Sequence, residues 1–299
     1  MEKPDYSKLL DSEVHAYLAL NASFTPEDPS LENLRKAYLA FCAAIEPTLP
    51  DIAFTDAAIA NVPTRRYHGA TADALVIYFH GGGFAIGNLD SHHAICMEIC
   101  QKTGLDVLAV AYRLAPEHPY PAHFEDALNV VDAHDEKLIL AGDSAGAALA
   151  AAVTLQRRDK VHGHMLIYPW LDTPGEHASF NEHAEAPILT AQALNDFEAL
   201  RLGGQPRPNS PDYFPLMGDD FNALPPSYIS TAECDPLRDE GLLYNTLHMF
   251  SGGESVVMEE HGLMHGHLHA RHHSARAAEA FDHICEGLRN LAAWEKPPF

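Results

Sequence analysis

The 299-residue chain is poor in cysteine, in positive charge and in long apolar runs, and each shortage removes a class of protein. Its five cysteines, Cys42, Cys96, Cys100, Cys234 and Cys285, are scattered without the paired spacing of a zinc ribbon or a disulfide framework. They read as free thiols in a reducing compartment. Nineteen Lys and Arg residues stand against 42 Asp and Glu, and the resulting net charge of -23 opposes binding to nucleic acid and to anionic membrane surfaces. The first eleven residues carry no apolar core of a signal peptide, and no run of ~18 apolar residues occurs anywhere. The expectation is a soluble, cytoplasmic protein without stable membrane insertion.

What is present is enough apolar material, 46% of the residues, to bury a substantial core in one large domain. From Pro4 to Pro50 the pattern is helical and amphipathic, with Leu9, Leu10, Val14, Tyr17 and Leu18 in one stretch and Leu31, Leu34, Tyr38, Leu39 and Phe41 in the next, separated by a break at residues 25–30. Strand-like and helix-like pieces then alternate through residues 51–299, the pattern of an α/β fold with a mainly parallel sheet between helices. Opening strands are expected at 52–62 and 64–68, then strands at 75–79, 107–111, 137–141, 164–168, 228–232 and 255–259. Helices are expected at 94–102, 124–134, 147–156, 240–250 and from about 270 to 293. Residues 170–224 interrupt the alternation with many prolines and a helical run at 191–202; an insertion there lies above the strand ends, where ligands bind.

Gly142-Asp143-Ser144-Ala145-Gly146 sits between a short apolar run and an alanine-rich one. A G-x-S-x-G at a strand-to-helix junction looks like a nucleophile elbow, because small flanking residues let a serine occupy a tight turn with its hydroxyl exposed. His80-Gly81-Gly82-Gly83-Phe84 follows the apolar run 75–79, and successive glycines let backbone N–H groups converge on a developing oxyanion. A phosphate loop is the alternative, but no lysine follows at the required spacing. A nucleophilic serine needs a base and the base an orienting carboxylate; in the chain order of proteins with this kind of elbow, both follow the serine, acid first. Asp235 stands just past a strand, with Glu233 and Asp239 as competitors. The base comes from His261, His265, His267, His269, His272 and His273; glycines flank His265, whereas His269, His272 and His273 read as helix-surface residues. A zinc or nickel site is the rival reading of this crowd, against which no acid or cysteine is interleaved.

Taken together, His80 to Phe84, Tyr112-Arg113-Leu114-Ala115-Pro116-Glu117-His118-Pro119-Tyr120-Pro121-Ala122, the pentapeptide around Ser144, Asp235-Pro236-Leu237-Arg238-Asp239-Glu240-Gly241 and Gly262-Leu263-Met264-His265-Gly266 occur in one order. In these five blocks the chain closely resembles the bacterial hormone-sensitive-lipase family of α/β-hydrolase carboxylesterases, and its Asp143 resembles the GDSAG subgroup. The resemblance implies an α/β-hydrolase fold with a helical cap made by residues 1–50 and by the insertion at 170–224. It implies Ser144 as nucleophile, His265 as general base and acid, and Asp235 as the carboxylate orienting it. It also implies an oxyanion hole from the N–H groups of Gly82, Gly83 and Ala145, a loop shaped by His80 and Gly81, and a structural ion pair at Arg113. Phe84 and His267 are candidate pocket residues. Two departures stand out: Ala147 replaces a usual glycine after the elbow, and His267 replaces a common aromatic beside the base.

The expected activity is hydrolysis of short- to medium-chain esters through an acyl-serine, with no metal and no organic cofactor. Its partners would be the small-molecule ester and water, with a homodimer through the last strand left open. A ligand receptor on the same fold and a hydrolase of amides, carbamates or long-chain lipids are the alternatives.

Overall fold

A computed structural model describes residues 3–47, 52–71 and 73–295. The expected boundary between residues 50 and 51 lies outside the described residues. Helices α1 (Tyr6–Leu9), α2 (Ser12–Ala22) and α3 (Leu31–Ile45) come first. Asp11 starts α2 by accepting from the N–H groups of Glu13 and Val14, at 3.0 and 2.9 Å, so two of its orphan donors are satisfied.

An eight-stranded sheet follows, built from β1 (Phe54–Ile59), β2 (Val62–Tyr67), β3 (Leu75–Phe79), β4 (Asp106–Val110), β5 (Leu138–Asp143), β6 (Val161–Ile167), β7 (Ser227–Cys234) and β8 (Ser255–Met264). Its spatial order is β1-β2-β4-β3-β5-β6-β7-β8, antiparallel at the first two pairings and parallel from β4 onward. The strand expected at 52–62 is instead split by a tight hairpin. Ala60 and Asn61 both have positive φ, 50° and 67°, which two-residue hairpin turns require and which a reading by apolar content does not register.

Helices α4 (His93–Thr103), α5 (Ala122–Asp132), α6 (Ala145–Gln156), α9 (Arg238–Phe250) and α10 (Ala275–Ala293) cover the sheet, while α7 (Ala178–Glu182) and α8 (Ala191–Leu202) lie in the insertion. The central strands are buried on both faces, and successive residues go to opposite cores. Leu75, Ile77 and Phe79 join Leu138 and Leu140 in the core shared with α5 and α6. Val76 and Tyr78 join Ile139 and Met165 in the core shared with α4 and α10. Burial on both sides accounts for the continuous apolar runs in the sequence. A third cluster packs Leu10, Val14, Tyr17, Phe41 and Cys42 of the N-terminal helices on Leu263, Met264 and Ala277.

Two boundaries differ in ways that matter for the chemistry. β8 runs five residues beyond the expected end, to Met264, and the last helix begins at Ala275 behind an N-cap Ser274. Between them His267–Ala270 forms a short 3-10 turn. Among the described residues no helix is long and apolar enough to cross a membrane.

Candidate active site

The elbow is a backbone construction. β5 ends at Asp143, α6 begins at Ala145, and Ser144 between them has φ 54° and ψ -118°, a region costing on the order of 1–3 kcal/mol for a residue with a side chain. The surroundings enforce it. A Cβ on Gly142 would lie 2.6 Å from the Phe79 carbonyl oxygen, and one on Gly146 would overlap that same oxygen. Glycine at both ends lets β5, β3 and α6 approach closely enough to hold the turn. The Ser144 N–H donates to the Ile167 carbonyl at 2.9 Å, fixing the serine against β6.

Register brings the other two groups together. Cys234 of β7 pairs with Met264 of β8, so the residues that follow, Asp235 and His265, leave adjacent parallel strands side by side. His265 Nδ1–H donates to Asp235 Oδ2 at 2.7 Å, and Ser144 Oγ–H donates to His265 Nε2 at 2.9 Å. Asp235 is fully buried and its other oxygen accepts from the Leu237 N–H at 2.8 Å. The competing acids are occupied elsewhere: Glu233 accepts from the Gly262 N–H at 2.7 Å, and Asp239, in the first turn of α9, accepts from the Ser179 N–H at 2.9 Å.

Beside Ser144 lies the glycine loop. Gly81 N–H donates to Asp143 Oδ1 at 2.9 Å, and Gly82 and Gly83 have φ of 116° and 59°. The N–H groups of Gly82, Gly83 and Ala145 donate to no backbone carbonyl among the described residues. His80 Nδ1–H donates to the Gly81 carbonyl at 2.8 Å, its ring stacks on Tyr112 at 4.4 Å, and the Tyr112 hydroxyl donates to the His80 carbonyl at 2.6 Å. Burial, reinforced by His92, pushes the His80 pKa down to about 4, so the ring that shapes the loop is neutral. Burial pushes the Asp143 carboxyl up. His92, 3.2 Å away, outweighs burial together with His269 and the Tyr78 hydroxyl, and the net pKa is well below the usual carboxylate range.

Ser144, His265, Gly82 and Gly83 line a cavity of about 300 Å³. One wall comes from Tyr17, Phe24, Leu34, Tyr38 and Phe41 in and between α2 and α3; the other from Trp170, Ile188, Leu189, Leu194 and Phe197 of the insertion. Arg35, on α3, anchors the first wall. Its Nε donates to the Ala85 carbonyl at 2.8 Å, one Nη donates to the Ala115 carbonyl at 2.9 Å, and both Nη groups reach Glu117. The sequence reading missed it, since an arginine on an amphipathic helix reads as a solvated face. Glu240 was missed too: buried at the start of α9, its carboxylate accepts from the N–H groups of Leu171 and Asp172 and holds the start of the insertion. Arg113 pairs with Asp126, and Ala147 is buried within α6.

Three expectations are corrected. Phe84 and His267 lie behind the cavity wall rather than on it. Phe84 is turned into the core against His123 and Trp170, at 4.6 and 5.9 Å. His267 packs edge-on against Tyr168 at 5.0 Å with both ring nitrogens unpartnered among the described residues, and burial, then His265, pushes its pKa down to about 3. His269 is no helix-surface residue: the 3-10 turn directs it into the cavity, where its Nε2 lies 3.0 Å from the Tyr38 hydroxyl. Burial, then His92, pushes its pKa down to about 3. His272 does face solvent and meets Glu98 at 2.9 Å, but both precede α10.

Sheet topology, elbow and register together define the class as an α/β hydrolase. The family described by the alpha/beta hydrolase fold matches residues 76–269. The chain is 35% identical over 247 residues to Esterase LipI of Mycobacterium tuberculosis, covering 75% of this chain and 77% of that protein. It is 32% identical over 296 residues to the acetyl esterase of Salmonella schwarzengrund, covering 91% and 90%. The crystal structure of an esterase from the bacterial hormone-sensitive lipase family superposes with a TM-score of 0.87 at 26% identity, covering 95% of this chain and 99% of that one. The chain belongs to the hormone-sensitive-lipase family of α/β hydrolases and is a carboxylic ester hydrolase.

Proposed function

We propose that the chain hydrolyses short- to medium-chain esters with Ser144 as nucleophile, His265 as general base and then acid, and Asp235 as the carboxylate that orients His265. The observation that carries this reading is the unbroken relay of 2.9 and 2.7 Å from Ser144 through His265 to Asp235 at the floor of the cavity. Ser144 Oγ adds to the ester carbonyl carbon while its proton passes to His265 Nε2. The carbonyl oxygen becomes an oxyanion held by the N–H groups of Gly82, Gly83 and Ala145, the last at the positive end of α6. As the carbon–oxygen bond breaks, the imidazolium returns the proton to the departing alcohol. Water then adds to the acyl-serine by the same route, releasing the acid and free Ser144.

The preference for short acyl groups rests on the cavity of about 300 Å³, at the small end of ligand pockets, and on likeness to an acetyl esterase. The described helices of the N-terminal segment and the insertion at 170–224 are read as the cap, which is supported by the two cavity walls they contribute. Membership of the GDSAG subgroup is part of this reading, supported by Asp143 in the pentapeptide and by its bond to the Gly81 N–H. All five cysteines are buried and unpaired, which supports a reducing, cytoplasmic setting. Val256 and Met258, exposed on the edge strand β8, support pairing with a second copy, which sedimentation would reveal as a dimer.

Ser144→Ala is expected to remove hydrolysis of p-nitrophenyl butyrate by about a million-fold while the protein stays folded. The wild type, unlike the variant, should be labelled by a fluorophosphonate. Turnover near wild type in Ser144→Ala overturns the assignment.

A further inference from the structure

Arg201, on insertion helix α8, is 1% exposed, yet among the described residues no carboxylate lies within ion-pair distance of it. The acid one turn earlier, Glu198, is taken by Arg207 at 2.6 and 2.8 Å. Arg201 is enclosed by aromatic faces instead: its guanidinium carbon lies 3.8 Å from the ring centre of Phe84, 3.9 Å from that of Tyr213 and 5.1 Å from that of Phe214. Nε donates to His123 Nε2 at 3.1 Å and one Nη to the Tyr213 carbonyl at 2.7 Å, while the other Nη has no partner among the described residues. Burial pulls the guanidinium down to about 10, which leaves it charged, and pushes His123 well below the ordinary histidine range, which leaves it a neutral acceptor.

Burying a cation without a counter-charge costs several kcal/mol, and an apolar side chain would fill the space more cheaply. What the cation holds is therefore informative. Phe84 directly follows Gly83 and has φ 62°, a left-handed conformation that a bulky residue adopts only under constraint. Its ring packs on both the guanidinium, at 3.8 Å, and the His123 ring that the guanidinium bonds, at 4.6 Å, and its carbonyl accepts from the Ala115 N–H at 2.8 Å. From the same helix, the ring of Phe197 occupies the space a Cβ on Gly83 would need. α8 thus touches the glycine loop twice, through Phe197 on Gly83 and through Arg201 on Phe84.

Building on the proposed oxyanion hole, we propose that Arg201 is a positioning residue for the reaction: by gripping the Phe84 ring it fixes the backbone of Gly82 and Gly83 so that their N–H groups aim at the oxyanion. Arg201 lies outside the cavity lining, so its loss leaves substrate contacts in place and misdirects donors that matter most in the transition state.

The test measures Arg201→Met, Arg201→Lys, Phe84→Leu and the Arg201→Met/Phe84→Leu double variant on p-nitrophenyl butyrate, with affinity for a trifluoromethyl ketone as the tetrahedral mimic. Arg201→Met should lower kcat about 10- to 100-fold with KM within about threefold, and weaken the ketone by a factor similar to kcat/KM. Arg201→Lys, which keeps the charge and loses the fork, should fall between. The double variant should be no slower than the slower single, because both act on one contact. Wild-type kcat in folded Arg201→Met, a loss confined to KM, or additive losses would overturn the proposal. Should Arg201→Met fail to fold, Arg201→Lys and Phe84→Leu decide by the same split between kcat and KM. An active Ser144→Ala strikes the nucleophile reading on which this rests; an inactive one beside unchanged kcat in Arg201→Met strikes Arg201 alone.

Discussion

Around Ser144 the positions are set by backbone: two glycines that admit no Cβ, a serine at positive φ, and a carboxylate and an imidazole delivered by paired strand ends. A few ångströms away the cavity walls are set by side chains alone, from two stretches separated by more than a hundred residues. Leu34 and Ile188 in those walls are 37% and 43% exposed, whereas Phe79, behind the elbow, is fully buried. The first region tolerates almost no change because backbone cannot repack; the second can change residue by residue because side chains can. On the proposed reading, backbone places the reacting side chains and replaceable apolar surface sets selectivity.

The comparison breaks first if the backbone region yields. Gly146→Ala places a methyl group onto the Phe79 carbonyl, so it should destabilise by more than about 3 kcal/mol and leave little soluble protein, as denaturant melts would show. Asp235→Asn keeps the shape and loses the charge that orients His265, so kcat should drop about 10⁴-fold at neutral pH with the melting temperature little changed. A wall change should instead shift preference. Leu194→Trp narrows the cavity and should lower kcat/KM for hexanoyl relative to acetyl esters about tenfold, while labelling of Ser144 by a small fluorophosphonate persists. Equal losses on both esters would erase the distinction between the regions.

The smallest effect concerns His267, which borders the two. In the unfolded chain it takes up a proton near pH 6.5, in the folded protein only near pH 3, so its share of stability is lost as pH falls through that window. His267→Phe removes two unpartnered buried nitrogens and should raise stability by about 1–2 kcal/mol at pH 8, and by more at pH 5. Melting temperatures at the two values check it; an equal gain at both would show that the proton is not the cause.

These contrasts explain what the sequence disclosed. Gly142, Gly146 and the glycines after His80 are demanded by local geometry at fixed spacing, so the elbow and loop were legible as strings. The central strands were legible because both faces are buried. Hidden features arise where distant segments meet or where a turn decides direction. The extension of β8 to Met264 and the 3-10 turn after it send His269 into the cavity and His267 behind Tyr168, although both read as members of one histidine crowd. Arg35 and Arg201 gave no pattern, because their meaning comes from carbonyls and rings supplied by other elements.

Arg35 carries a consequence for the life of the enzyme as well as for its shape. It fastens the amino-terminal helices to the carbonyls of Ala85, just past the glycine loop, and Ala115, while Ser144, Asp235 and His265 each follow the end of a strand. On the cap reading proposed above, damage at the amino end is expected to reach substrate choice before it reaches bond cleavage. A chain nicked by a protease near residue 30 should first lose its discrimination among acyl lengths and only later its turnover, and the acyl-length profile of a limited digest would follow that ageing.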